Sequence, residues 1–359
     1  MQAIHQLVAG FIAGDAITNE AVALQALFRK WGYSSDIFCE KRKVNTELRA
    51  FVKDISELHS CVKDGDIAVL HLSIGSSVND AFLALNCCKR IVRFHNITPP
   101  IFFRGINEMV AAQSEMGYRQ LHTLSTYALK AIAVSKFNEE NLKSNGYRNV
   151  EVIPLLLDDR VLYYPPDRDL VRELKRDGYE NIIFIGRGVP NKRIEDLLCF
   201  FYYLKLCCKR KIRLVHIGSY IGFERYQMYV EAIGKKLGLK DFVMKGAISQ
   251  NELAAYYKMA KLFMCMSEHE GFCIPLLESM AYSVPVMAYA SSAIPETMKG
   301  AGVLFLDKNW HLLAEMASLI LQDERIRSSI IEKENQRWQL YKEMPVEKLW
   351  KTALQPYLE

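Results

Sequence analysis

The chain has no Cys-x-x-Cys, no G-x-G-x-x-G and no apolar run of the roughly 18 residues that a membrane-spanning helix needs. The first absence, with nine cysteines scattered through apolar or amphipathic stretches, excludes a zinc ribbon or a disulfide framework and leaves reduced thiols, mostly buried. His, Cys, Asp and Glu do not recur at metal-ligand spacing, so no metal is expected. The second absence argues against a nicotinamide-dependent oxidoreductase. The start, Met1-Gln2-Ala3-Ile4-His5-Gln6-Leu7, lacks the basic region and cleavage site of a signal peptide, and a cytoplasmic protein is expected. No aromatic-interleaved basic stretch is present, so nucleic acid is not an expected partner. Short-period repeats are absent as well.

What is present is the composition of a globular protein: 359 residues, 50% hydrophobic and 24% charged, a length that suits two domains. The net charge of +5 includes three short clusters, Lys41-Arg42-Lys43, Lys89-Arg90 and Lys209-Arg210-Lys211. They read as a solvated basic face. The sharper reading is peripheral contact with anionic lipid at the inner face of the cell membrane.

The stretch that organises the chain is Glu270-Gly271-Phe272-Cys273-Ile274-Pro275-Leu276-Leu277-Glu278. Before it, Leu262–Met266 reads as a buried parallel strand. Pro275 suits the first turn of a helix with an apolar face of Leu276, Leu277, Met280 and Ala281, and Pro285 keeps that helix short. Backbone N–H groups at such a helix start form an anion site. The two flanking carboxylates suit the hydroxyls of a sugar and a ribose better than phosphates.

Elsewhere strands and helices alternate, and the alternation restarts halfway. A strand at Ala3–Val8 leads through Gly14-Asp15 into a helix near Asn19–Trp31, ended by Gly32. A buried strand at Asp66–Leu72 carries His71 and runs into Ser73, where ligands of open α/β sheets bind; a packed or capping role suits both equally. Arg90–Phe94 exits into His95-Asn96 before Pro99-Pro100. Ser135 is a plausible helix cap, and Val150–Leu157 is a further apolar strand. Asp158–Arg168, with Pro165-Pro166, reads as a linker. In the second half Asn181–Ile185 exits into Gly186-Arg187 and on to Lys192. Further strands fall at Ile212–Ile217, Phe242–Met244, Val284–Tyr289 and Val303–Leu306. Lys245-Gly246-Ala247 follows a strand end, and Ser249 to Glu252 is a capping box. The tail from Asn309 is helical in pattern, with a bend at Pro345.

Ser267-Glu268-His269-Glu270-Gly271-Phe272 through Glu278 resembles the Glu-x7-Glu motif of retaining GT-B glycosyltransferases, family 4 in particular. The resemblance implies two doubly wound, Rossmann-like α/β domains facing a cleft. It divides the chain into an acceptor-side domain (1–160), a nucleotide-sugar donor domain (161–344) and a C-terminal helix (345–359) returning to the first domain. It implies transfer of a hexose, mannose or a related sugar, from a UDP- or GDP-sugar to the hydroxyl of a glycan or lipid-linked acceptor, with no cofactor and no metal. Arg187 and Lys192 correspond to the cations that clamp the donor diphosphate. Arg pairs bidentately with phosphate, Lys adds a point charge, and both stabilise the charge that builds on the leaving group. Glu270 should contact the donor sugar, Glu278 the ribose, and His95 should sit near the reacting carbon. Gly14, Asp15, Gly186, Lys245, Gly246, Ala247, Gly271, Phe272, Cys273 and Ile274 complete the expected donor site, and His71, Ser73 and Asn96 the acceptor side. Relatives carry Pro-Asn-Gly-Val-Asp where this chain has Pro154-Leu155-Leu156-Leu157-Asp158. The resemblance extends to bacterial enzymes of surface polysaccharide such as O-antigen or capsule. Two other readings stand beside it: a nucleotide-sugar epimerase of the same architecture and, from a different class, a non-catalytic sugar-nucleotide-binding subunit.

Overall fold

A computed structural model of the protein describes residues 2–156 and 164–358. Its described residues form two α/β units. Met1–Ile101, Glu108–Asp158 and Pro345–Glu359 make one; Phe102–Asn107 and Asp159–Met344 make the other.

The first unit is built on a seven-stranded sheet of β1 (Ile4–Val8), β2 (Ile37–Cys39), β3 (Lys53–Asp54), β4 (Ile67–Leu72), β5 (Lys89–Phe94), β6 (Lys130–Ala133) and β7 (Val150–Val152). The spatial order is β3-β2-β1-β4-β5-β6-β7 and every pairing is parallel. β1 and β4 are buried along their whole length. That is why they read as unbroken apolar runs rather than alternating ones: both faces of a parallel sheet are covered. The second unit has β8 (Glu180–Ile185), β9 (Ile212–Ile217), β10 (Phe242–Met244), β11 (Ala260–Cys265), β12 (Val286–Tyr289) and β13 (Val303–Phe305). Their order, β10-β9-β8-β11-β12-β13, repeats the first sheet's scheme, again all parallel. The fold is GT-B in architecture.

In each sheet the strand order reverses at one place, between β1 and β4 and between β8 and β11. Ligands of open α/β sheets bind outside the carboxyl ends of strands at such a switch point. The loops leaving β8 and β11 carry Arg187, Lys192 and Glu270, so these three share one edge of the second sheet.

Local signals set most boundaries. The first helix runs Ala16–Lys30, three residues earlier than its apolar face suggests, because the Asp15 carboxylate accepts from the N–H groups of Ile17 and Thr18. Its end is a Schellman motif: Tyr33 N–H donates to Phe28 O and Gly32 N–H to Arg29 O, with Gly32 at φ +93°. Ser135 caps Lys136–Ser144, and Ser249 with Glu252 forms the capping box of Gln250–Met259. The apolar run from Val150 is paired only as far as Val152. Asp167, read as linker, instead caps the helix Arg168–Arg176. Residues 164–166 have no regular secondary structure, with Pro165 O accepting from Asn251 Nδ2 at 2.6 Å, whereas the linker's first residues, 158–163, with the 160/161 boundary and Leu157-Asp158, lie outside the described residues.

The tail turns at Pro345 into the helix Val346–Leu354, which packs within the first unit. Trp350 is fully buried there, edge-on to Phe28 at 6.0 Å and beneath the Arg93 guanidinium at 5.4 Å. In the second unit Phe103 packs against Phe223 at 5.7 Å and Asn107 Nδ2 donates to Gly222 O at 2.6 Å. These contacts explain why Phe102–Asn107 groups with residues far ahead in sequence. No described helix is long and apolar enough to cross a membrane.

Candidate functional site

In the second unit the β8 exit begins with Gly186 at φ +154° and closes with a 3-10 turn, Pro190–Lys192. Gly218, in the β9 exit, backs it so closely that a Cβ there would lie 1.8 Å from Gly186 O. His216 Nε2 reaches the same carbonyl at 2.9 Å and Tyr220 OH meets His216 Nδ1 at 3.0 Å. Burial holds the His216 imidazole down at about 4, which keeps it neutral and donating to that carbonyl. The loop's two cations then differ. Arg187 is exposed, its guanidinium 5.7 Å from the centre of the Phe223 ring. Lys192 is tucked in, its Nζ 2.6 Å from Glu270 Oε1. Burial opposes the ammonium, but Glu270 and then Cys273 outweigh it and its pKa is raised.

The Glu270 loop is strapped down from several sides. Glu270 N–H donates to Ser292 Oγ at 2.7 Å, Asn191 Nδ2 to His269 O at 2.9 Å, and Ser291 Oγ to Ser267 O at 2.6 Å. The neighbouring Glu268 is engaged by Lys308 at 2.8 Å and Arg193 at 3.3 Å, which leaves Glu270 as the loop's buried carboxylate beside Lys192. The loop ends at Cys273, in the left-handed region at φ +70°, N-cap of the helix Ile274–Ala281. Cys273 gives that helix no side-chain cap and Pro275 follows, so the first-turn N–H groups have no side-chain acceptor from the cap. Glu278, one turn in and half-buried, accepts from Tyr257 OH at 2.6 Å. Burial raises its pKa despite that bond. Lys245, Gly246 and Ala247 follow β10 at the same sheet edge, with Lys245 N–H bonded to His216 O and Gly246 at φ +61°.

In the first unit, Gly14 (φ +77°) and Asp15 form the β1 exit, and Asp15 spends its carboxylate on the helix cap. Ser73 leaves β4 half-buried, and Asn96 is nearly buried at φ +97°. His71 is fully buried, so it reaches a ligand only through what rests on it: His95, whose Nε2 is 2.9 Å from His71 Nδ1. Burial, His71 and Arg93 together push the His95 pKa well below its ordinary value, and His71 falls to about 3.

Among the described residues the fold makes two clusters that spacing in the sequence did not reveal: Glu20, His71 and His95, and Cys265, Glu270 and Cys273, each with ligand atoms within 4.8 Å of one another. Glu20 is held by Arg93, with Nε 3.0 Å from Oε2, and Glu270 by Lys192, so each carboxylate already has a cation. The thiols of Cys265 and Cys273 share a hydrogen bond that lowers the pKa of the first and raises that of the second.

Glu20, Arg93, Tyr257, Ser292 and Gly218 were not singled out from the sequence. Only Arg93 had a local signal, a charge inside an apolar strand; the rest depend on contacts between distant segments.

Residues 167–337 match the model of the family described as glycosyl transferases group 1. The O-antigen chain mannosyltransferase B of Escherichia coli is 29% identical over 134 residues, 37% of this chain and 34% of that protein. A GDP-mannose-dependent alpha-mannosyltransferase of Mycobacterium tuberculosis is 28% identical over 182 residues, 50% of this chain and 43% of that protein. These matches thus span less than half the length of either relative. Among solved structures, Anabaena HepE in complex with UDP and glucose superposes with a TM-score of 0.75 over 99% of this chain and 100% of that one, at 13% identity, a likeness of fold.

Proposed function

We propose, for a chain whose second unit carries a glycosyl transferases group 1 segment, that it moves a hexose from a nucleoside-diphosphate sugar to a hydroxyl of a glycan or lipid-linked acceptor, with retention of anomeric configuration. The bond from the anomeric carbon to the diphosphate oxygen breaks, a bond to the acceptor oxygen forms, and the acceptor's proton leaves with the diphosphate or to solvent. The names of the sequence relatives favour mannose and GDP, and surface-polysaccharide synthesis as the setting; the UDP in the structural neighbour keeps a UDP-sugar open to test. A peripheral contact with anionic lipid at the inner face of the membrane belongs to the same proposal, through the basic clusters.

The observation that carries this reading is the Lys192–Glu270 pair beside the N-terminus of Ile274–Ala281, which has no side-chain cap from Cys273, at the sheet's switch point. Lys192, exposed Arg187 and the helix N–H groups offer preorganised positive charge to a diphosphate, and need no metal to do so. Glu270 meets the sugar hydroxyls and Glu278 the ribose. Gly186, Lys245, Gly246, Ala247 and Gly271 to Ile274 approach the nucleotide mainly by backbone. In the first unit the proposed ligand contacts are Gly14, Asp15, His95, Ser73 and Asn96. A thermal-shift panel of nucleoside diphosphates and their sugars tests the reading. A cognate ligand at 100 times its dissociation constant stabilises by about 2.7 kcal/mol. A panel in which no nucleotide raises the melting temperature counts against it.

A further inference from the structure

The amide of Gln6 fixes the first link of a hydrogen-bond chain. Gln6 Nε2 lies 2.9 Å from Ala21 O, a carbonyl that can only accept, so the amide nitrogen must face it and Oε1 must face the other way. His71 Nε2 is 2.9 Å from that Oε1, which can only accept in turn. His71 therefore carries its proton on Nε2 and leaves Nδ1 bare. His95 Nε2, 2.9 Å from that bare Nδ1, must be the donor. A second acceptor confirms the direction: Glu20 Oε2 stands 3.4 Å from His95 Nε2. Glu20 is held in place by Arg93, and Leu156 N–H donates to its other oxygen at 3.2 Å. Arg93 is itself completely buried and donates to Ile153 O at 2.6 Å and Ala133 O at 3.2 Å. Its fixed positive charge disfavours a proton on both imidazoles. The whole hydrogen-bond network lies within the first unit.

We infer that Gln6, His71 and Glu20 are positioning residues that lock His95 as the neutral Nε2–H tautomer, so that its Nδ1 is presented as a hydrogen-bond acceptor for a ligand hydroxyl. His95 Nδ1 has no partner among the described residues, and the side chain keeps 6% of its surface exposed. An acceptor at that atom takes a hydrogen bond from a sugar hydroxyl. It cannot donate to a diphosphate oxygen, and so it sorts the neutral end of a nucleotide sugar from the charged end. The tautomer itself is independent of the proposed reaction; only the identity of the hydroxyl rests on it.

Long-range ¹H–¹⁵N correlation NMR on the full chain, labelled with ¹⁵N-histidine at neutral pH, reads the tautomer directly. Expected are a protonated Nε2 and an unprotonated Nδ1 for both His71 and His95. A His95 proton on Nδ1, or an imidazolium, overturns the inference. Gln6→Met removes the acceptor from His71 Nε2 and should leave His71 as a mixture of tautomers; a single unchanged tautomer there overturns the role of Gln6. Asparagine places a carbonyl oxygen where Nδ1 was, and glutamine reaches to the Nε2 position. His95→Asn should thus keep about tenfold more turnover than His95→Gln. Equal or reversed losses overturn the assignment of Nδ1 as the working atom. If no nucleotide sugar is turned over by the wild type, the reaction proposal fails while the NMR result stands or falls by itself.

Discussion

Lys192 Nζ stands 2.6 Å from Glu270 Oε1, although 78 residues separate the two along the chain. Under the proposed function the ammonium would have two duties, one toward Glu270 and one toward a bound diphosphate, whereas exposed Arg187 would have only the second. Lys192→Ala should slow transfer by roughly 10²- to 10³-fold and also lower the melting temperature, because it strands a buried carboxylate. Arg187→Ala should slow transfer on the same scale and leave the melt where it was. Turnover assays and thermal melts of both variants check this; wild-type turnover in either folded variant refutes the clamp.

The two glutamates should separate by role. A sugar contact that tightens as the ring flattens acts mainly in the transition state, so Glu270→Gln should lower turnover more than donor affinity. The ribose does not change during the reaction. Glu278→Gln, which keeps an amide oxygen for Tyr257 OH but loses the charge, should weaken the donor and the free nucleoside diphosphate alike. Calorimetry with the nucleoside diphosphate alone decides between them. Loss of binding in the Glu270 variant and not in the Glu278 variant would reverse the roles.

How much of this was legible depends on how far each signal reaches along the chain. The Ser249–Glu252 box, the cap at Ser135, the strand before Glu270 and the Gly32 stop are settled within a few residues, and the structure has all of them. The two α/β halves followed from the restart of the alternation near Asn181, and the GT-B architecture from the resemblance carried by Glu270 to Glu278. Contacts across the sheets were not legible. His71 looked like a strand-end ligand because its burial under His95 involves a residue 24 positions away. The clusters around Glu20 and Cys265 escaped because metal-like spacing is sought along a sequence, and here it arises between segments. The first helix was placed too late because an apolar face marks where a helix packs, while Asp15 marks where it begins.

Gly218 makes a demand of this kind. A Cβ there meets Gly186 O at 1.8 Å and Gly186 C at 2.5 Å, backbone atoms that cannot rotate away. Gly218→Ala should destabilise by about 1–3 kcal/mol and push the Arg187 loop outward, weakening nucleotide binding. Denaturant melts and calorimetry measure the two effects; an unperturbed melt contradicts the close approach.

Glu334 sets a pH dependence. One carboxylate oxygen accepts from Val286 N–H at 2.8 Å, the other is buried with no partner among the described residues, and burial pushes the carboxyl up to about 8. The folded state then binds a proton that the unfolded chain, with an ordinary glutamate, releases from about pH 4.5 upward. Its contribution is fully present below pH 4.5, declines as pH rises and is lost by about pH 8. Glu334→Gln should flatten that part of the stability–pH profile measured by urea melts. A variant with the wild-type slope would show that another group sets it.

The most direct measurement of the central claim is acceptor-dependent release of nucleoside diphosphate by the purified chain, given a GDP- or UDP-sugar and a glycan or lipid-linked acceptor in excess chelator. The anomeric configuration of the product is read by NMR. The account predicts release only when acceptor is present, undiminished by the chelator, with the donor's configuration kept in the product. An inverted product, or activity that vanishes with the chelator and returns with manganese or magnesium, would contradict it.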